Sequence, residues 1–430
     1  MHAGRNDARQ QESMKDTLGV LLAGGAGERL YPLTRDRAKP AVTFAGNYRI
    51  IDVTLSNCLN SDLRHVYILT QYKALSLNRH IREGWSSVVA RELGEFIEIL
   101  PPMKRVSENW YLGTADAVYQ NIYSIGSEEP KYVLILSGDH IYKMNYQLML
   151  AQHLDAGADV TLATILTDPS ECDRFGVVDI DSTGHITGFE EKPKKTKLRS
   201  PYNPKMVSGS MGVYLFNTEV LLPLLLKDAE DAGSSHDFGK DILPRVLDQY
   251  KVYSYNFIDE NQKEALYWRD VGTLEAYYEA NMDLVAVSPV FNLYDKHWPI
   301  RTTQRQYPPA KFVFGAPGRT GMAVDSIVSS GCILSGGVVR NSVISPDVRV
   351  NSYSEVDSSI VFSHVNIGRH CRIRRAILDR DVQIPEGTII GYDPDDDAKN
   401  YVVTDTGITV VTRDYSLFES PVTADYFTSE

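Results

Sequence analysis

The sequence predicts an α/β protein in two parts: a Rossmann-like domain with a mostly parallel sheet, followed by a C-terminal left-handed parallel β-helix. Three observations lead there. Between residue 17 and about 286, short apolar runs alternate with polar segments long enough for helices, the pattern of a doubly wound sheet. Residues 288–312 lose every period. Beyond about residue 322, aliphatic residues recur six apart within blocks of seventeen. Triangular coils whose inward side chains stack on their equivalents give that spacing.

Taken in order, the first apolar run is TLGVLLA, residues 17–23, which ends in glycines. Runs of strand length follow at 65–70, 132–136, 159–165 and 212–216. Residues 176–190 alternate on either side of turn residues 181–184, which predicts a hairpin. Segment 288–312 mixes prolines and aromatics and reads as a connector whose aromatics pack on one domain or the other. The last ladder begins with Ile327, Ile333 and Val339, then Ile344, Val350 and Val356. Val361, Ile367 and Ile373 follow, and Leu378, Ile384 and Ile390 close it. Strands of a sandwich would alternate with period two, which is missing here. The expected organisation is a disordered tail over 1–16, the α/β domain over 17–287, the connector over 288–312 and the β-helix over 313–430.

The chain has 430 residues, 43% of them hydrophobic, and a net charge of −12. Such an acidic chain lacks the positive field that nucleic acid or an anionic membrane needs. It still accommodates small anionic substrates, since a few local Arg and Lys can bind a phosphate. Cys58, Cys172, Cys332 and Cys371 form no CxxC pair and no zinc spacing, and read as free thiols in a reducing compartment. The polar start has no apolar signal core, and no run of about 18 apolar residues occurs. A cytoplasmic protein is expected, with no membrane or nucleic-acid partner.

Chemistry is concentrated in three places. The first is LAGGAGERL over 22–30, where Gly24, Gly25 and Gly27 let backbone N–H groups approach a phosphate. No Gly-Lys-Ser/Thr follows, and Leu30 stands where a dinucleotide fingerprint needs its third glycine. A purely structural strand-to-helix turn fits the glycines equally well. Arg29 and Lys39 are both within reach of a phosphate on that loop, and Pro40 stiffens the backbone beside Lys39. The second is Ser137-Gly-Asp-His140, directly after a strand, where α/β folds place ligands. Asp139 there could equally cap a helix. Asp270 is a second carboxylate that could hold Mg²⁺ with substrate phosphates, or simply pair with Arg269. The third is Glu191-Lys192-Pro193, which on its own reads as well as a solvated charge pair.

LAGGAGERL-x-PLT with RAKPAV resembles the signature of the sugar nucleotidyltransferases. Longer stretches narrow the resemblance: ENWYLGTADAV (108–118), LSGDHIY (136–142), FGVV (175–178), EEKP (190–193), SSHDFGKDILP (234–244), YWRDVGT (267–273) and DKHWPIRT (295–302). Together they are similar to the ADP-glucose pyrophosphorylase family of the bacterial glycogen type, from about 17 to 415. The resemblance implies an enzyme that moves the adenylyl group of ATP onto glucose 1-phosphate, giving ADP-glucose and pyrophosphate. It implies Mg²⁺ on Asp139 and Asp270, with Arg29 and Lys39 as catalytic cations. Leu22, Gly24, Gly25, Gly27, Gln71, Gly113 and Thr114 would face the nucleotide, with Asp116 organising their loop. Tyr111, Gly176, Glu191, Lys192, Ser210, Asp237, Phe238 and Trp268 would serve glucose 1-phosphate.

Enzymes of this type are homotetramers with small-molecule effectors bound between the two domains. The cations expected there are Arg37, Arg49, Arg380 and Arg413. Two departures stand out. Asp36 replaces an activator-binding lysine of the enteric enzymes, and the C-terminal tail lacks their basic residues. An aspartate there repels a bisphosphate. The expected activator is therefore different, fructose 6-phosphate or pyruvate, or regulation is weak. Three rival readings stay open: another nucleotide base, a bifunctional uridylyl- and acetyltransferase, and a catalytically inactive regulatory subunit.

Overall fold

A computed structural model describes residues 13–25, 27–102, 110–257 and 267–413. The first two residues of the 108–118 motif and the C-terminal tail read for effector binding lie outside them. The core is a nine-stranded sheet. Thr17–Ala23 lies at its centre, parallel to His65–Thr70 on one side and to Tyr132–Ser137 on the other. Its residues are apolar without alternation because both faces are covered. Leu18, Val20, Val133 and Ile135 pack into one core, and Leu21, Ile68, Leu134 and Leu136 into the other. The hairpin forms as Val177–Ile180 against Ile186–Glu190.

The run at 212–216 is part of a longer strand, Val207–Asn217, antiparallel to its neighbours. Its register shifts between Ser210 and Tyr214, where Gly212 takes a φ of 67°. That bulge broke the sequence pattern. Two five-residue strands, Phe96–Leu100 and Val252–Asn256, carry no sequence expectation; among the described residues the first pairs along one edge only, and the second pairs with Val160–Thr167 and meets the hairpin through a single bridge, Tyr253 to His185. Residues 13–16, which the sequence places in the tail, are packed. Met14 is buried in the core, and Asp16 pairs with Lys131 at 2.7 Å.

Helix Ile50–Asn60 is buried along its whole length but for the last residue, so its polar side chains must find partners inside. Asp52 accepts from Arg49 N, Trp85 Nε1 and Thr302 Oγ1 and meets His80 Nε2 at 2.6 Å. Asn57 holds Tyr142 O and Trp298 Nε1, and Ser56 Oγ accepts from Arg301 N. The connector is thus threaded along this helix, with Phe291, Trp298 and Ile300 buried.

The C-terminal part is a parallel β-helix with three sheets as its sides. Val350, Ile367 and Ile384 stack in one column and Val339, Val356, Ile373 and Ile390 in another. Ile344, Val361 and Leu378 form the third. The first coil corrects the sequence ladder. Val328 stands over Ile344 and Leu334 over Val350, one residue later than Ile327 and Ile333. The reason is a side one residue short, between Leu334 and Val339. Ile327 points outward instead, in line with Val343, Ile360 and Ile377. That outward column packs with Tyr277, Phe291 and Ile300 of the preceding chain. One sheet of the β-helix is therefore apolar on both faces and joins the two parts.

Candidate functional site

The glycine loop leaves the central strand at its carboxyl end. Gly27 turns it with φ 68°, and Thr34 Oγ1 donates to the Gly27 carbonyl at 2.8 Å. A short turn, Lys39–Ala41, then brings Lys39 back under the loop. The result is a cleft of about 680 Å³ lined by Leu22, Gly24, Gly25, Gly27, Arg29, Lys39, Gln71, Tyr111, Gly113, Thr114, Asp139 and Asp237, among others. Tyr72 also lines it and stacks on the exposed Trp110 ring, centroids 5.1 Å apart. The expected nucleotide set thus shares one cavity, except for Asp116. That carboxylate is buried behind the wall, accepting from Leu112 N and Gln120 Nε2 at 2.8 Å each. It ties down the loop that carries Tyr111 and Gly113.

Asp139 and Asp270 come together although they stand 131 positions apart in the chain. The strand Trp268–Asp270 pairs antiparallel with His140–Tyr142, setting Asp270 opposite His140. Lys39 Nζ lies 2.6 Å from Asp139 Oδ2 and 3.2 Å from Asp270 Oδ1. Ser137 Oγ donates to Asp139 Oδ1, and His140 Nε2 stands 3.5 Å from the same oxygen. Burial pushes the Asp139 carboxyl up, but the Lys39 and His140 charges outweigh it and hold the group well below the usual carboxylate range. Burial would lower the Lys39 amine; Asp139 and Asp270 instead carry it above its ordinary value. A Cβ at Gly272 would come within 3.0 Å of both Arg29 Nη2 and Asp270 Oδ1, so a side chain there would press on both groups where they converge.

Ligating atoms of Asp139, His140 and Asp270 lie within 4.8 Å of one another, a group able to hold a divalent ion. The donor set suits a hard dication, which prefers carboxylate oxygens and completes its shell with phosphates and water. Among the described residues, His140 Nδ1 is buried without a hydrogen-bond partner.

The residues expected to serve the sugar phosphate adjoin this cleft through Asp237. Thr114 Oγ1 donates to Asp237 Oδ2 at 3.0 Å and accepts from Phe238 N at 2.9 Å. The Glu191 carboxylate rests over the backbone of Gly176 and Gly239. Burial pushes its pKa up; Lys192 opposes this and Asp237 adds to it. Lys192 Nζ is 3.4 Å from Glu191 and more than half exposed. Ser210 N donates to the Gly176 carbonyl at 2.7 Å. Two residues sit differently from the rest. Phe238 is buried in the core against Tyr214 and Phe216, so only its backbone faces Thr114. Trp268 lies edge-on to His140 and Phe175, and its Nε1 is buried with no partner among the described residues.

A second cavity, of about 600 Å³, opens between the α/β domain and the β-helix. Arg49, Arg79, Arg301, Arg305 and Arg380 line it. Burial first, and Arg380 next to it, hold the Arg49 pKa down to about 10. Arg37 does not line the cavity; it forms a bidentate pair with Asp379 of the β-helix, both contacts 2.9 Å. Arg413 is also outside the lining, and its carbonyl accepts from Arg35. Asp36 is half exposed and pairs with Arg35.

Sequence reasoning assigned no role to Ser137, His140, Gly272, Arg79, Arg301 or Arg305. The first two flank Asp139 in the motif already singled out. Arg301 and Arg305 stood visible as cations in the connector beside Asp295, Lys296 and Lys311, but nothing in the sequence said what they faced.

The sequence model of the nucleotidyl transferase family matches residues 18–286, and a model described as GlmU-like, C-terminal hexapeptide matches 308–411. The hexapeptide match agrees with the left-handed β-helix expected from the six-residue spacing. Over 417 residues the chain is 78% identical to the glucose-1-phosphate adenylyltransferase of Koribacter versatilis (strain Ellin345), covering 97% of this chain and 100% of that protein. The protein of that name from Rhodopirellula baltica (strain DSM 10527 / NCIMB 13988 / SH1) is 54% identical, with 96% and 93% covered. That of Shewanella sp. (strain ANA-3) is 53% identical, with 93% and 95% covered. With the glycine loop, the paired carboxylates and the hexapeptide coils all in one chain, and relatives this similar along nearly its whole length, the chain belongs to the nucleotidyl transferase family, among the glucose-1-phosphate adenylyltransferases.

Proposed function

We propose that this protein transfers the adenylyl group of ATP to α-D-glucose 1-phosphate, giving ADP-glucose and pyrophosphate, the committed step of α-glucan synthesis. The observation that carries this is the convergence of Lys39, Asp139, Asp270 and Arg29 at the mouth of a glycine-walled cleft. A phosphate oxygen of the sugar attacks the α-phosphorus in line. No general base is required, because the nucleophile is already ionised, so the work is positioning and charge neutralisation. Asp139 and Asp270 would hold Mg²⁺, which supplies charge neutralisation on the reacting phosphates when bound. Arg29 draws charge onto the departing pyrophosphate, and Lys39 reaches the phosphates from below the loop. Lys192 steadies the attacking phosphate, while Glu191 and Asp237 accept from sugar hydroxyls. The test is pyrophosphate release by the purified chain with glucose 1-phosphate and each of ATP, UTP, dTTP and GTP. ATP should be used fastest. A faster rival nucleotide would overturn the assignment of base, and no turnover with any would support the inactive-subunit reading.

The arginine cavity supports an effector site for a small anion, in a cytoplasmic homotetramer. Arg49 lines it and also donates from Nη1 to the Ala41 carbonyl at 2.9 Å, in the same short turn as Lys39. An anion that draws on Arg49 therefore pulls on the turn that carries a catalytic cation, a coupling of the usual allosteric kind. Fructose 6-phosphate or pyruvate should activate, and Arg49→Ala should abolish that response. Activation above about tenfold by fructose 1,6-bisphosphate, a coupling near 1.4 kcal/mol, would contradict the reading.

A further inference from the structure

We infer that the Lys39 ammonium is a built-in rival of the divalent ion, so that the ion is taken up together with the nucleotide and not before it. The inference rests on the adenylyl-transfer reading of the cleft but concerns the order of events there. Lys39 is almost fully buried and contacts both carboxylates, Asp139 Oδ2 at 2.6 Å and Asp270 Oδ1 at 3.2 Å. These carboxylates are two of the three groups placed to share an ion. An ammonium and a dication packed against the same two carboxylates repel each other at contact distance. One must leave for the other to enter.

Lys39 cannot leave for nothing. Its backbone is fixed in a turn that Pro40 stiffens and that Arg49 holds through the Ala41 carbonyl. A buried ammonium stripped of its anions is strongly unfavourable. It needs a new anionic partner within the reach of one side chain. The glycine loop lines the same cleft as Lys39, and Arg29 stands beside Asp270 at Gly272. Nucleotide phosphates seated on that loop are the anions that could receive the amine. Phosphate and ion therefore exchange for Lys39 in one event: the amine turns to the phosphate, and the carboxylates are released to the ion. Free dications meet carboxylates one of whose two charges the ammonium already offsets.

The test uses Mn²⁺ as the probe on the full-length protein without substrates, with free ion measured by electron paramagnetic resonance. Wild type should bind Mn²⁺ weakly at this site. Lys39→Met should bind it at least tenfold tighter, and Lys39→Gln should show the same direction. The gain should vanish in the double variant Lys39→Met with Asp139→Asn, which locates the ion. Equal Mn²⁺ affinity in wild type and both single variants would overturn the inference, as would a gain that survives loss of Asp139. Circular dichroism confirms that each variant is folded. Turnover of wild type with ATP and glucose 1-phosphate tests the functional reading separately, since no binding measurement here needs catalysis.

Discussion

In the β-helix, beyond its short first coil, each coil repeats the one before it: Val350 lies under Ile367 and Ile367 under Ile384. In the α/β domain no residue repeats another's place. Asp52 alone collects Arg49 N, His80, Trp85 and Thr302, and Lys39 joins two aspartates from distant strands. The first region spreads its stability over near-identical neighbour contacts, as repeat architectures do. The second concentrates charge and hydrogen bonding at a few points, and the chemistry sits at one of them. The lesson is that a defect should be graded in the β-helix and abrupt in the α/β domain.

The largest effect should come from Asp139→Asn. Turnover should fall by about a thousandfold or more, several kcal/mol in the barrier, while far-ultraviolet circular dichroism stays that of a folded protein. Steady-state kinetics with ATP and glucose 1-phosphate check it. Near-normal turnover would remove the contrast between the two regions.

Next in size is Ile373→Ala, in the middle of a β-helix column. Ile373 is fully buried, and its truncation should cost about 2–5 kcal/mol, read from denaturant unfolding. The kcat of the folded protein should stay within about threefold of wild type, because no active-site side chain touches that column. A loss of turnover comparable to that of Asp139→Asn would show that the regions are not separable.

The smallest effect sharpens the comparison from the opposite side. Burial raises the Glu191 pKa, against the pull of Lys192. A carboxyl with a raised folded pKa favours the protonated form in the fold. Its ionisation therefore weakens folding as pH rises from the ordinary carboxylate range through the raised value, and the penalty persists at neutral pH. Glu191→Gln should raise Tm slightly at pH 7, and the gain should shrink as pH falls into the carboxylate range. KM for glucose 1-phosphate should rise in the same variant. A lower Tm at pH 7 would mean that the Glu191–Lys192 pair, not desolvation, governs this position.

Much of this was legible in the sequence, and the boundary is instructive. Ten of the twelve ladder aliphatics fall in register, because a coil is a local repeat. Ile327 and Ile333 slipped by one because a five-residue side looks, in one dimension, like a six-residue side misread. A signal was available. The doublets Ile327-Val328, Val343-Ile344, Ile360-Val361 and Ile377-Leu378 are apolar at both positions, whereas Arg349-Val350, Asn366-Ile367 and Gln383-Ile384 are apolar at one. A face that is apolar outward must be covered, and it is.

By itself the sequence determined the two architectures, the glycine loop and the kinds of side chain the chemistry uses, since periodicity and turn residues act within a few positions. Tertiary structure alone decided that Lys39 stands between Asp139 and Asp270, that Asp116 props a wall and does not line it, that Phe238 turns its ring into the core, and that five arginines share a cavity. Strand pairing and domain docking across a hundred residues or more bring Lys39 to its aspartates and the arginines to their cavity, whereas Asp116 and Phe238 are set by packing against nearer neighbours. Charge and hydrogen bonding act through space over a few ångströms, and distance along a chain does not report distance in the fold.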